Sequence, residues 1–220
     1  MNFNLVTANG LTTLPVQMAA PTHSSSVPAT TPKQTVVSGT QSSVNSAFYT
    51  YQKEPWLTEP GYEHITNREE YVRAKKSMSE LDLALLQITY NQFNNHLADV
   101  EPEIAKKSFG FTLGADANLK IISYDNSLTD AERSRLSEII NSFQSLKEAV
   151  QHHAKTIMLL ADHDHETFGS RRDITLDNFQ EIIDYGKVLS QGQNGMQDEW
   201  IRQVQTHAES GAETYISIDI

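Results

Sequence analysis

The stretch TDAERSRLSEIINSFQSLKEAVQHHAKTIMLLA, residues 129–161, carries the clearest structural pattern in the chain. Thr129 followed by Glu132 fits a capping box, in which a hydroxyl and a carboxylate three residues apart satisfy the free amides of a helix start. This predicts one long helix to about Ala161, with His153 as a hydrogen-bonded residue on its core-facing side. The apolar residues that recur at helical intervals along that face are Leu136, Ile139, Ile140, Phe143, Leu146, Val150, Ile157 and Leu160.

Three further segments show the spacing of helices. One covers residues 68–99. Alternatively, Ser79 and Asp82 cap the start of this helix, and residues 68–78 form a separate helical turn before it. The others cover residues 176–189 and 196–208. The apolar residues that recur near helical spacing in the first of these are Leu81, Leu85, Ile88, Phe93, Leu97 and Val100.

The segments outside these helices predict a small sheet and a strap. Residues 109–113 and 119–124 alternate between polar and apolar positions around a five-residue turn, which is typical of a β-hairpin. Alternating isoleucines in residues 215–220 predict a third strand beside it. Aromatic residues over 48–57 are broken by prolines and predict an extended strap that docks on the domain. The expected fold class is therefore mainly α with a small antiparallel sheet (α+β).

The N-terminal 47 residues differ sharply in composition from the rest of the chain. They carry one formal charge, Lys33, together with 15 Ser or Thr residues and four of the seven prolines. Such a segment buries too little apolar surface to offset the entropy of ordering, so we expect a disordered arm. Residues 48–220 hold 16 basic and 28 acidic residues, a net charge of −12. That length suits one acidic, mostly helical domain.

Composition also excludes several classes of protein. The chain has no cysteine, so it is neither a disulfide scaffold nor a thiolate-zinc protein nor a cysteine-nucleophile enzyme. The formal net charge of −11 argues against a nucleic-acid partner, which needs a basic surface. No apolar run of about 18 residues is present, so no transmembrane segment is expected.

One short segment concentrates residues of metal-ligand type: Asp162, His163, Asp164, His165 and Glu166. Imidazole and carboxylate groups bind divalent metals. His163 and His165, with Asp162 or Asp164, would need a third ligand from elsewhere, such as His153, because alternate side chains of an extended strand point to opposite sides. No cofactor is expected for the chain as a whole, and a divalent metal at this segment is the alternative. A Mg²⁺- or Mn²⁺-dependent hydrolase is the functional hypothesis that goes with that alternative.

Two other interpretations of this region stay open. Residues 167–178 align with a degenerate calcium loop, although Arg172 replaces its glycine and Asn178 its final glutamate. Alternatively, the region is a structural joint between helices. In that case Arg171 and Arg172 pair with the preceding acids, and Thr175 caps the next helix with a hydrophobic staple.

The N-terminal arm resembles the export signals of bacterial type III secretion substrates from plant-associated bacteria. Phe3 and Leu5 lie near its start, Ser24, Ser25 and Ser26 follow, and the first acidic residue of the chain is Glu54. Such a signal must stay unfolded to pass through a narrow channel. Residues 155–185 are similar to a segment of Hrp-type translocator and helper proteins, the HrpF/NolX group, although the glycine of that segment is absent here.

These resemblances imply a protein that is cytoplasmic before export and is then secreted, into a host cell in the case of an effector. The expected partner is a protein: a host target, a secretion chaperone or the apparatus itself. The two functional hypotheses are therefore a secreted effector or helper that acts by protein–protein interaction, and a metal-dependent hydrolase with its site at Asp162–Glu166.

Overall fold

The computed structural model describes residues 48–211 and has the expected architecture, mainly α with a two-stranded antiparallel sheet. The arm over residues 1–47 and the strand predicted over residues 215–220 lie outside the described residues. The helices are α1 Arg68–Val100, α2 Pro102–Ala105, α3 Asp130–Ser142, α4 Gln144–His163, α5 His165–Phe168, α6 Phe179–Ile182, α7 Tyr185–Ser190 and α8 Met196–His207. The strands are β1 Phe109–Leu113 and β2 Leu119–Ser123.

The centre of the domain is formed by α1 and α4, which pack antiparallel. Lys76 near the start of α1 lies beside Asp164 at the end of α4, and Phe93 near the end of α1 meets Phe143 at the start of α4. Asn67 caps the start of α1, because its side chain accepts a hydrogen bond from the backbone N–H of Glu70. The helix predicted over residues 68–99 is confirmed, and the alternative start at Ser79 is wrong, since the helix is continuous for 33 residues.

The buried face of α1 is not the one that the spacing of Leu81, Leu85 and Ile88 indicated. These three side chains are exposed, as is Val100. Periodicity identifies an apolar face but not its direction, and α1 carries two such faces. The face that enters the core contains Tyr71, Val72, Ser79, Asp82, Leu83, Leu86, Phe93 and Leu97.

The single helix predicted over residues 129–161 is two helices, α3 and α4, separated at Phe143. The capping box is confirmed, because Thr129 and Glu132 exchange the expected hydrogen bonds. Phe143 leaves the helical region of backbone space, with φ −82° and ψ 80°, and its ring packs on Phe93. The break turns α3 towards β2, where the Asn141 side chain hydrogen-bonds both backbone groups of Leu119.

The hairpin is confirmed, with Phe109 opposite Ser123 and Leu113 opposite Leu119. Strand β1 packs against α7 at the point where Gly110 of the strand meets Gly186 of the helix. A Cβ built on Gly186 would lie 2.6 Å from the Cα of Gly110. Glycine is therefore needed at this position for the close approach of helix and strand, which explains an otherwise unfavourable residue in a short helix.

The region predicted as one helix over residues 176–189 forms two short helices, α6 and α7, because Ile183 between them is extended. Thr175 does not cap α6. Instead, Asn178 accepts hydrogen bonds from the backbone and hydroxyl of Thr175, and α6 begins only at Phe179. The last predicted helix is confirmed as α8, with Trp200 and Val204 buried.

Candidate functional site

The four predicted metal ligands lie at the joint between α4 and α5. Asp162 and His163 form the last turn of α4, Asp164 connects the two helices, and His165 begins α5. The first three are buried. The joint is covered by the strap, residues 48–57. Its residues 49–54 form neither helix nor strand and lead into a 3₁₀ turn at Pro55–Leu57.

Both carboxylate oxygens of Asp162 are engaged. The Tyr49 hydroxyl donates to Oδ2 at 2.6 Å and Arg171 Nε donates to Oδ1 at 2.6 Å. Burial, followed by the nearby carboxylate, raises the pKa of Tyr49 well above its usual value. The predicted pairing of Arg171 with an acid of this segment is thus confirmed. Arg172 instead donates to the carbonyl oxygens of Phe168 and Ala208.

Asp164 acts as the structural cap of the joint. Its Oδ1 accepts a hydrogen bond of 3.0 Å from the backbone of Thr167, and Lys76 Nζ lies 3.1 Å from its Oδ2. Lys76 also donates to the Thr167 hydroxyl at 2.8 Å. Asp164 therefore satisfies a free amide at the start of α5, and its charge is paired with a lysine of α1.

The two histidines of the cluster point into different surroundings. Arg68 donates to Nδ1 of His165 at 3.2 Å, so Nε2 carries the hydrogen that bonds the Asp162 carbonyl oxygen. The ring of His163 stacks on Tyr51 and meets the edge of Trp56. Burial lowers the pKa of His163, and its Nε2 has no hydrogen-bond partner.

His153, the third ligand considered in the sequence, lies in the core between α1, α4 and α7. The Tyr185 hydroxyl lies 3.2 Å from its Nδ1, and its Nε2 lies 3.2 Å from the Ser79 hydroxyl, which in turn donates to Gln197. These bonds suit a neutral ring, and burial lowers the pKa of His153 to about 3. Its prediction as a hydrogen-bonded core residue is confirmed.

The predicted ligands therefore do not converge, because each side chain has a different set of neighbours. Within residues 48–211 no group of three or more histidine and carboxylate side chains is arranged to hold a metal ion. In the segment aligned with a calcium loop, residues 167 and 168 belong to α5 and Asn178 bonds Thr175 and Asp173. A cavity of about 350 Å³ beside the joint has a mixed lining that includes Arg68, Arg73, Glu80, His163 and Glu166.

A feature whose direction the sequence does not reveal is a stripe on the outer face of α1. We call Met78, Leu81, Leu85 and Ile88 the outer stripe; they are 42%, 59%, 59% and 54% exposed. Leu85 and Ile88 belong to residues 83–98, which contain no Asp, Glu, Lys or Arg, whereas the exposed Glu80 lies between Met78 and Leu81 in the sequence. Large apolar side chains that are exposed together on one helix face are typical of a protein–protein interface. The spacing was visible in the sequence, but its outward direction was not.

No family model, curated protein or solved structure matches this chain. Among the helices of residues 48–211, none is long and apolar enough to cross a membrane.

Proposed function

We propose that this protein is a secreted bacterial effector or helper that is exported through a type III-like system and acts by binding another protein. The observation that carries the binding half is the outer stripe of α1. Its four large side chains are exposed on one helix face, whereas Asp162, Asp164 and His165 at the joint are already bonded within the domain. The outer stripe is therefore available to bind another protein, whereas those three side chains of the joint are already used within the domain.

The export half of the proposal rests on the arm. Residues 1–47 carry Lys33 as their one formal charge, and the chain has no cysteine. A segment of low charge and low hydrophobicity is suited to threading, and no disulfide would lock the chain against it. The resemblance to type III export signals supports the same function.

Export is tested by fusing residues 1–50 to a reporter enzyme that lacks a signal of its own. We expect the fusion to leave a bacterium with a working type III apparatus and to stay inside an isogenic strain without one. A fusion of residues 51–100 has the same length but carries charged residues, and we expect it to be retained. Equal export from both strains, or none from either, would contradict the proposal.

A metal-dependent hydrolase with its site at Asp162–Glu166 is the second candidate. It is favoured by the unpartnered Nε2 of His163 and the cavity that His163, Asp164, His165 and Glu166 help to line. The test is thermal melting of the full chain with Mg²⁺, Mn²⁺ and Zn²⁺. This candidate requires a metal-dependent rise in melting temperature that is lost when His163→Ala and His165→Ala are combined. The same rise should persist in His207→Ala, at the far end of α8. An unshifted melting curve with every ion contradicts it.

A further inference from the structure

We infer that the outer stripe of α1 pairs with the outer stripe of a second copy of this chain, antiparallel about a two-fold axis. This inference rests on the proposed function, in which the stripe is a protein-binding surface. It adds the identity of the partner, a second copy of the chain. Three observations on α1 favour a second copy: the spacing of the stripe, the small residue at its centre, and the distribution of charge along the helix.

The spacing of the outer stripe is the same in both directions. Met78, Leu81, Leu85 and Ile88 are separated by three, four and three residues, which is the a/d spacing of helices that pack side by side. In an antiparallel pair centred on position 83, Met78 faces Ile88 of the second copy and Leu81 faces its Leu85. A two-fold interface requires such self-complementarity, because the same patch must serve both chains.

The centre of the stripe is built for close approach. Ala84 lies between Leu81 and Leu85 along the helix and is partly exposed, so it falls beside the proposed axis. Its methyl group leaves room for the equivalent helix, and the larger side chains on either side then interdigitate. A large or charged residue at this position would hold the two helices apart.

The charges of α1 favour an antiparallel pair of identical chains. The whole chain has a formal net charge of −11, so two copies repel at long range and need an uncharged contact. In the proposed register the charged residues 68–76 of one chain lie opposite residues 90–98 of the other. That stretch is free of Asp, Glu, Lys and Arg and contains four Asn or Gln residues. A parallel pair would instead place Glu80 beside Glu80 and Arg73 beside Arg73.

The expected dimer is weak. Four side chains on one helix bury less than the roughly 800 Å² per partner of a standard interface. We therefore expect dissociation in the micromolar range, ~10⁻⁶ to 10⁻⁴ M. Full-length protein examined by sedimentation velocity over that concentration range should shift from the monomer mass to twice that mass.

Leu85→Glu should leave the protein monomeric throughout, with its melting temperature unchanged because the side chain is exposed in the single chain. Leu57→Glu is the matched control. Leu57 is similarly exposed but lies outside the stripe, so this variant should dimerise like the wild type. A wild-type protein that stays monomeric, or a Leu85→Glu variant that dimerises as well as the wild type, overturns the inference.

The direction of the pair is tested with single cysteines, because the natural chain has none. Under mild oxidation a mixture of Met78→Cys and Ile88→Cys proteins should form a disulfide between the two variants, since a disulfide requires Cα atoms within about 7 Å. Met78→Cys alone should remain uncrosslinked. Efficient crosslinking of Met78→Cys with itself overturns the antiparallel arrangement.

A second outcome to test is that residues 212–220 of the same chain occupy the stripe. If a variant ending at Gly211 dimerises while the full chain is monomeric, residues 212–220 cover the stripe and the inference is overturned. The export assay depends only on residues 1–50, so the two proposals fail separately. A chain that is exported but stays monomeric retains the first and loses the second.

Discussion

The two apolar faces of α1 have similar spacing, but one is buried and the other is exposed. The inner face carries Leu83, Leu86 and Phe93, all fully or almost fully buried, whereas Leu81 and Leu85 on the outer stripe are 59% exposed. The difference lies in the neighbours. The polar groups of the inner face have partners on other helices, since Ser79 meets His153 and Asp82 meets Thr156. Hydrophobic spacing thus identifies surfaces suited to contact, and only the rest of the chain decides which one is covered.

The largest effect is expected from Leu86→Ala on the inner face. Leu86 is fully buried in the core cluster, so the truncation removes apolar contacts and leaves a cavity. We expect the free energy of unfolding to fall by about 2–5 kcal/mol, as measured by urea denaturation with an unchanged slope. A loss below about 1 kcal/mol would mean that the inner face is not the core-facing side.

The polar centre of the inner face should make stability depend on pH. Burial lowers the pKa of His153 to about 3, so below about pH 6.5 the unfolded state takes up a proton that the folded state refuses. The contribution of His153 is therefore complete above pH 6.5 and is lost as the pH falls towards 3. The unfolding free energy should decrease by up to about 1.4 kcal/mol per pH unit in that window.

His153→Gln should flatten this slope relative to the wild type in urea titrations at successive pH values. Burial also lowers the pKa of His163, which adds a slope of the same sign, so His163→Gln is the companion variant. A wild-type slope that survives both substitutions would assign the pH dependence to other groups.

A smaller loss of stability is expected from Tyr49→Phe in the strap. The strap is a third packed region that can be compared with the two faces of α1. The substitution removes the hydroxyl that donates to the buried Asp162, while Arg171 remains bonded to that carboxylate. We expect a loss of about 1–2 kcal/mol and faster proteolysis within the strap. Tyr51→Phe keeps the ring that stacks on His163 and should change neither measurement. Equal behaviour of the two variants would contradict the role given to the Tyr49 hydroxyl.

The smallest effect on folding is expected from Leu85→Ala on the outer stripe. Because this side chain is mostly exposed in the single chain, the unfolding free energy of dilute protein should change by less than about 0.5 kcal/mol. Adjacent positions 85 and 86 thus form a matched pair of leucine truncations. Similar losses from both would remove the distinction between the two faces.

The parts of the fold that were predictable from the sequence are local. Thr129 and Glu132 satisfy each other's backbone groups, and the hairpin follows from strand alternation around a short turn. The break at Phe143 and the split between α6 and α7 were not predictable, because they place side chains against distant elements. The ring of Phe143 packs on Phe93, 50 positions earlier in the chain.

The candidate site likewise has features that could be predicted from the sequence and features that could not. The residue types at Asp162–Glu166 were evident, and so was pairing of Arg171 with a nearby acid. The contact of Tyr49 with Asp162 spans 113 residues and has no signature in either segment. The engagement of Asp162 by Tyr49, and of Asp164 by Lys76, depends on the packing of the strap and α1 against the end of α4.

The strap also determines how the domain responds to force. Its contacts occur in chain order: Lys155 lies over the Phe48 ring, Tyr49 bonds Asp162, and Tyr51 contacts both His163 and Arg171. A pull applied at residue 48 is expected to load these contacts one after another before it reaches α1. We therefore expect the strap to detach in small steps under tension, and the core helices to bear load only after the strap has been removed.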